Sequence, residues 1–207
     1  YFGQALLNNP TRSPYDETTR SGYNVWIGEE YDYNFIADAA LYDSNSLDKW
    51  FKPEIMAKLN ILPVEGLSYQ QSVGYSTFQY EDHGYTSMYH RASIVNNVNG
   101  SASLAFAKNE RLNTEGYFSY DRSFKGGHKV NAVLGYSYNR YDGERFSMSN
   151  SNFSVDGIKY WDIGKGSYLN DGLASMSSEK NITEKLLAYF VRANYSYNNR
   201  YMVSATY

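Results

Sequence analysis

From residue 54 to the end of the chain, apolar and polar side chains alternate with a period of two in about six separate stretches. The first places Ile55, Ala57, Leu59 and Ile61 on one face and Glu54, Met56, Lys58 and Asn60 on the other. The second sets Leu67, Tyr69, Gln71, Val73, Tyr75 and Thr77 against Ser68, Gln70, Ser72, Gly74 and Ser76. The third sets Leu112, Thr114, Gly116, Phe118 and Tyr120 against Asn113, Glu115, Tyr117, Ser119 and Asp121. In the fourth, Val130, Ala132, Leu134, Tyr136 and Tyr138 oppose Asn131, Val133, Gly135, Ser137 and Asn139. The fifth runs Leu187, Tyr189, Val191, Ala193, Tyr195 and Tyr197 against Ala188, Phe190, Arg192, Asn194 and Ser196. A sixth begins with Tyr201, Val203, Ala205 and Tyr207. Each reads as a strand with one apolar and one polar face.

The connections between these strands alternate in length. Pro63-Val64-Glu65-Gly66, Lys125-Gly126-Gly127 and Asn198-Asn199-Arg200 read as tight turns. The intervening connections, from about Glu81 to Lys108 and from about Asp142 to Thr183, are long. Alternating short and long connections put all the bulk at one edge of a sheet, as in outer-membrane β-barrels. Residues 1–53 are expected to be a long, irregular extracellular loop region, with a short helix over Tyr1 to Asn8 that Pro10 stops. Residues 54–207 are expected to supply barrel strands and extracellular loops.

Charge placement decides what the faces meet. Lys58, Glu115, Asp121 and Arg192 fall on the polar rows, and the apolar rows carry charge only near strand ends, at Arg122 and Arg140. A charge facing lipid at mid-membrane costs about 2–4 kcal/mol, so the pattern suits an apolar row against lipid and a watery lumen behind it. Lys58, Glu115 and Arg192 are then lumen-facing. Composition agrees. Aromatic residues are 17% of the chain, 23 of them Tyr, yet mean hydropathy is −0.61. Tyrosine suits an interface that is apolar at one end and wet at the other. A soluble β-sandwich would show the same alternation, but it has no reason to make every second connection long. Six strands cannot close a membrane barrel, since the smallest have about eight. The chain is therefore expected to be a piece of a larger one.

A net charge of −3 leaves no basic footprint for nucleic acid. No cysteine is present, which removes disulfides and thiolate metal sites, and no apolar run of 18 residues reads as a membrane helix. Catalysis has no visible constellation. His83, His90 and His128 fall in loops or a turn, without a Ser, Cys or Asp arranged to make a nucleophile. Gly164-Lys165-Gly166 reads as turn punctuation. Asp142, Asp156, Asp162, Asp171 and Asn170 offer oxygens for Ca²⁺, but their spacing does not fit the regular calcium loop and reads as solvated turns. No cofactor is expected.

Gln4-Ala5-Leu6-Leu7-Asn8-Asn9-Pro10-Thr11 with Pro14-Tyr15-Asp16-Glu17, then Trp50-Phe51-Lys52-Pro53, then Leu62-Pro63-Val64-Glu65-Gly66-Leu67 resemble, in order, segments of the SusC/RagA family of TonB-dependent outer-membrane transporters. Asn131-Ala132-Val133-Leu134-Gly135-Tyr136-Ser137-Tyr138 is similar to the family's "NALAGYSYQ" strand. Arg192-Ala193-Asn194-Tyr195-Ser196-Tyr197 and Asn199-Arg200-Tyr201 are similar to its "GRVNYSYDNRYL" hairpin, with Val191 standing where the family has Gly. The resemblance implies an all-β fold, an antiparallel transmembrane β-barrel segment from the middle of a barrel of roughly 22 strands. It implies import of oligosaccharides or oligopeptides across the bacterial outer membrane, driven by the TonB–ExbB–ExbD complex. The implied partners are a SusD-like surface lipoprotein acting as a lid, outer-membrane lipid, and a second copy in a dimer of transporter–lipoprotein pairs. The plug and TonB box would lie upstream of Tyr1. No bond in the substrate would be made or broken.

Aromatic faces stack on sugar rings, and Asn, Asp and Arg bond to hydroxyls; peptides use a similar mixture. Tyr85, Tyr89, His90 and Arg91 in the first long connection are therefore candidate substrate contacts. Tyr160, Trp161, Asp162, Tyr168, Asn170 and Asp171 in the second are candidates too. The reading from another class is a secreted, non-transporting β-rich glycan-binding or adhesion module.

Overall fold

A computed structural model describes residues 11–26, 33–181 and 183–207; the helix expected over Tyr1 to Asn8 lies outside them. Among the described residues, two short α-helices, α1 (Phe35–Ala40) and α2 (Arg91–Val95), accompany eight strands. These are β1 (Tyr42–Phe51), β2 (Glu54–Asn60), β3 (Leu67–Thr86), β4 (Ser101–Phe124), β5 (His128–Ser151), β6 (Ser175–Lys180), β7 (Glu184–Tyr197) and β8 (Tyr201–Thr206). One sheet runs in the order β1-β3-β4-β5-β7-β8, with β2 also paired to β3 and β6 also paired to β5.

The registers keep the apolar rows together. Directly opposed residues of an antiparallel pair share a face. Ile55 opposes Val73 and Leu59 opposes Tyr69. Leu134 opposes Val191, Tyr136 opposes Tyr189, and Tyr195 opposes Val203. A slip of one residue would turn each of these side chains to the other face.

Two expectations are corrected. Residues 42–51 form a strand where irregular chain was expected, and α1 precedes it. Tyr42 to Phe51 has no clean alternation, and its strand state comes from lying along β3. Pro53 has no N–H to give a ladder, so the edge breaks between β1 and β2. The Tyr75 N–H still reaches the Pro53 carbonyl at 3.0 Å, so β3 runs past the break. The long connections are also shorter than expected. β3, β4 and β5 are 20, 24 and 24 residues long, about twice what a tilted membrane crossing needs. The second connection also ends in strand β6. What remains of the connections is residues 87–100 and 152–174. The extra strand length lacks a contrast between faces, because on the row of Leu134 the chain changes to Arg140, Asp142 and Glu144.

The tight turns are as expected. Gly66, Gly126 and Gly127 take positive φ, as do Asn198 and Asn199, and the Arg200 N–H closes the last turn on the Tyr197 carbonyl at 3.0 Å. Neighbouring turns are laced sideways. The Asp121 N–H donates to the Gly66 carbonyl and the Asn198 N–H to the Gly127 carbonyl, both at 2.8 Å.

The chain divides into two compact units. One comprises residues 1–48, 80–107 and 145–179; its core is Tyr85, Ala102, Phe153 and Tyr160, with Leu104 and Ile163 packed against it. The other comprises residues 49–79, 108–144 and 180–207. It is a sheet whose apolar row stays uncovered: Ile55, Leu59, Leu134, Leu187, Tyr189 and Val203 are all exposed.

Candidate functional site

In the first unit, Asn34 ties the chain's beginning to α1. Its side-chain oxygen accepts from the Ile36 and Ala37 N–H groups, capping the helix. Its amide donates to the Pro14 and Asn24 carbonyls at 2.7 and 2.8 Å. Asp156 is held in the same way by three donors: the Tyr85 hydroxyl at 2.8 Å, the Ser87 hydroxyl at 3.0 Å and the Met88 N–H at 2.9 Å. A carboxylate satisfied this fully locks its loop in place. Lys159 bonds Asp43 at 2.5 Å, and that bond raises the lysine's pKa above its ordinary value.

Around these anchors the candidate contacts divide. Tyr85 and Tyr160 are enclosed in the core, and Tyr160 also stacks on His83 with centroids 5.1 Å apart. Tyr89 is half-buried, with its N–H on the Ser87 hydroxyl. His90 and Arg91 converge on buried Asp38, at 3.5 and 3.8 Å, and the Arg91 guanidinium lies 4.6 Å over the Tyr33 ring. His90 Nδ1 accepts from the Ala92 N–H, so this nitrogen carries no proton. Burial holds the His90 pKa below its ordinary value; Asp38 opposes that shift without overcoming it, and Arg91 adds to it. Trp161, Asp162, Asn170 and Asp171 are exposed, and Tyr168 is half-buried. Trp161 leans on Tyr160 with centroids 4.8 Å apart.

The second unit carries two unlike faces. On the apolar face the charges begin where the apolar row ends. Lys108 pairs with Glu110 at 3.1 Å and Arg140 with Asp142 at 2.7 Å, and the Tyr75 hydroxyl bonds Glu110. Below them Gln71 is fully engaged: its oxygen takes the Tyr69 and Tyr136 hydroxyls and its amide donates to Thr114. Gly116 makes room for this knot, since a Cβ there would lie 2.6 Å from the Gln71 oxygen. Lys58, Glu115 and Arg192 are exposed on β2, β4 and β7, and no ion pair joins them among the described residues. Among the described residues, no group of His, Cys, Asp or Glu side chains is placed to hold a metal ion.

The polar face holds a cluster that sequence reasoning missed. Trp50 packs on Phe78 with centroids 4.1 Å apart, and the Lys52 ammonium sits 4.2 Å over the Trp50 ring. The Arg111 guanidinium sits 5.6 Å over the Tyr141 ring, and the Tyr141 hydroxyl donates to Asn109 at 2.8 Å. These residues line an open cleft of about 340 Å³. Trp50 fell in the supposed irregular region, and Phe78, Asn109, Arg111 and Tyr141 fell just past the assigned strand ends. The signal that would have found them is the same period of two carried further, since Arg111 continues the row of Asn113 and Glu115.

Known solved structures share this sheet. The chain superposes on "Structure of the RagAB peptide transporter" with a TM-score of 0.71 and 14% identity, over 88% of this chain and 19% of that one. The fold is that of an antiparallel β-sheet segment of that larger transporter chain. The "closed-closed" state of the RagAB peptide importer gives a TM-score of 0.72 at 14% identity, over 89% of this chain and 20% of that one. In sequence, the chain is 28% identical over 109 residues to TonB-dependent receptor P3 of Formosa agariphila; the match spans 53% of this chain and 10% of the relative. No family model matches. The proteins named here are a receptor and transporters, and none of them is an enzyme.

Proposed function

We propose that this chain is barrel wall and outer-loop structure of a TonB-dependent importer in the bacterial outer membrane, carrying nutrient oligomers inward. The observation that carries the reading is the uncovered apolar row of Ile55, Leu59, Leu134, Leu187 and Val191. In water such a row across a whole sheet would be an aggregation surface. Against acyl chains it needs no further cover. Its limits fit a bilayer, since charges on that face begin at Glu110, Arg140 and Lys185, one apolar stretch of about ten residues away from the turns. Lys58, Glu115 and Arg192 then face the lumen, where water or neighbouring groups balance them.

The cargo is an oligosaccharide or an oligopeptide, and a SusD-like lipoprotein closes the outer end. TonB–ExbB–ExbD supplies the energy, and pairs of transporter and lipoprotein assemble as a dimer. Of the loop candidates, the exposed Trp161, Asp162, Asn170 and Asp171 are the best placed to meet cargo or the lid. Tyr85 and Tyr160 act by holding the loop.

The test is electrophoresis of the native protein from outer-membrane fractions, boiled and unboiled, with mass spectrometry of the band. A heat-modifiable species several times 23.7 kDa that co-purifies with a lipoprotein is the expected result. A soluble, detergent-independent species would instead favour a secreted binding module.

A further inference from the structure

At the end of the second unit away from its tight turns, the two faces treat their charges differently. On the apolar face, Lys108, Glu110, Arg140 and Asp142 neutralise one another in ion pairs. On the polar face, the cations Lys52 and Arg111 sit over aromatic rings, Trp50 and Tyr141. Glu54 and Glu115 lie further along the same rows, yet no ion pair links either to Lys52 or Arg111 among the described residues. A ring under a cation fixes its position without cancelling its charge. The two cations therefore remain ordered and available to an anion.

The rest of the cleft suits a sugar. Asn109 accepts from the Tyr141 hydroxyl, which leaves its amide N–H groups to donate. Ser76 adds a hydroxyl, Glu110 borders the cleft with its carboxylate already engaged by Lys108 and the Tyr75 hydroxyl, and Trp50 stays 59% exposed despite its contact with Phe78. The volume, about 340 Å³, is at the lower end of small-molecule sites. A carboxylated pyranose presents a charge, several hydroxyls and an apolar C–H face in one rigid ring. A peptide of similar charge brings its carboxylate on a flexible stem and leaves most of these donors unused.

We infer that the cleft lined by Trp50, Lys52, Phe78, Asn109, Arg111 and Tyr141 is a subsite for an acidic sugar unit, its carboxylate held between Lys52 and Arg111. This rests on the import reading, because it places the polar face in the lumen. Arginine meets a carboxylate with two parallel N–H donors, so Arg111 contributes the orientation and Lys52 the second charge.

The experiment is calorimetric titration of the complete transporter, purified in detergent, with an oligogalacturonate, a neutral malto-oligosaccharide and a glutamate-rich peptide. Arg111→Gln and Lys52→Gln would be measured alongside the unaltered protein, with heat-modifiability as the check on barrel closure. The expected result is binding of the oligogalacturonate that weakens at least ten-fold in each variant and falls with added salt. Arg111→Lys should restore part of the affinity. Absence of oligogalacturonate binding, equal binding by the variants, or loss confined to the peptide would each overturn the proposal. A closed, heat-modifiable barrel that takes up neutral cargo while the variants change nothing would sink the subsite and leave the import reading standing. Failure to insert in the membrane would remove both.

Discussion

Phe153 and Leu134 are both large apolar side chains, and they illustrate how differently the two units hold together. Phe153 is 0% exposed, at the centre of a small core that includes Tyr85, Ala102 and Tyr160. Leu134 is 58% exposed on a single sheet with nothing over it. The first unit folds by burying apolar surface within itself. The second holds its shape through strand ladders, fixed register and laced turns, and leaves its apolar surface uncovered. The same residue type therefore reports on intramolecular packing in one unit and on the surrounding solvent in the other.

The sharpest way to break this comparison is Phe153→Ala. Removing a buried Phe costs about 3–5 kcal/mol, and the loss should appear as faster hydrogen exchange over residues 152–174. Leu134→Ala, by contrast, should change exchange little in detergent, because its neighbours outside the protein are as apolar as itself. Equal effects from the two would mean that Leu134 is covered. Next in size is Leu134→Arg, which should cost about 2–4 kcal/mol if that face meets lipid. Lower outer-membrane yield and loss of the heat-modifiable band would show it, while normal insertion would refute the facing.

A smaller effect is expected at the turn end of the second unit. Gly66 has φ 86°, and a Cβ there would sit 2.0 Å from the Asp121 carbonyl oxygen. Gly66→Ala should lower resistance to heat by about 1–2 kcal/mol from backbone conformation alone, and more if Asp121 must move. A melting curve like that of the unaltered protein would show that the turns are not laced as described.

The smallest effect is in pH. The folded-state pKa of His90 lies below its ordinary value because burial disfavours the charged ring. The unfolded segment therefore binds the proton more readily, and the histidine's contribution is complete above about pH 6.5. It is lost as pH falls through the lower folded value. Protonation at Nδ1 would also remove the cap on Ala92. Exchange over residues 87–97 should rise as pH drops below about 6.5, once the intrinsic pH dependence is removed, and His90→Gln should flatten the change. A rise in protection on acidification would mean that the Asp38 contact outweighs burial.

The sequence was legible where the two sides of a strand carry unlike side chains. Between Val130 and Tyr138 the apolar and polar rows separate cleanly, and the register carries them as read, with Leu134 against Val191 and Tyr136 against Tyr189. The tight turns were legible because Gly66, Gly126, Gly127, Asn198 and Asn199 are the residue types that tolerate positive φ. Beyond Arg140 the contrast fades, and β5 continues through Phe146 and Met148 to Ser151 without a period-two signal strong enough to find. The candidate contacts in the loops show the same limit. Nothing local distinguishes Tyr160, which is enclosed, from Trp161, which is 78% exposed.

By itself, then, the sequence determined the all-β class, the apolar and polar rows and the tight turns, because periodicity and positive-φ residues are local properties. Only the tertiary structure decided how far the strands run, that Tyr42–Phe51 is one of them, and that Asp156 locks its loop through Tyr85, Ser87 and Met88. It alone brought Trp50 and Lys52 into one cleft with Arg111 and Tyr141. Those outcomes depend on which distant segment supplies the hydrogen-bond partner or the aromatic ring, and no window of neighbouring residues carries that information.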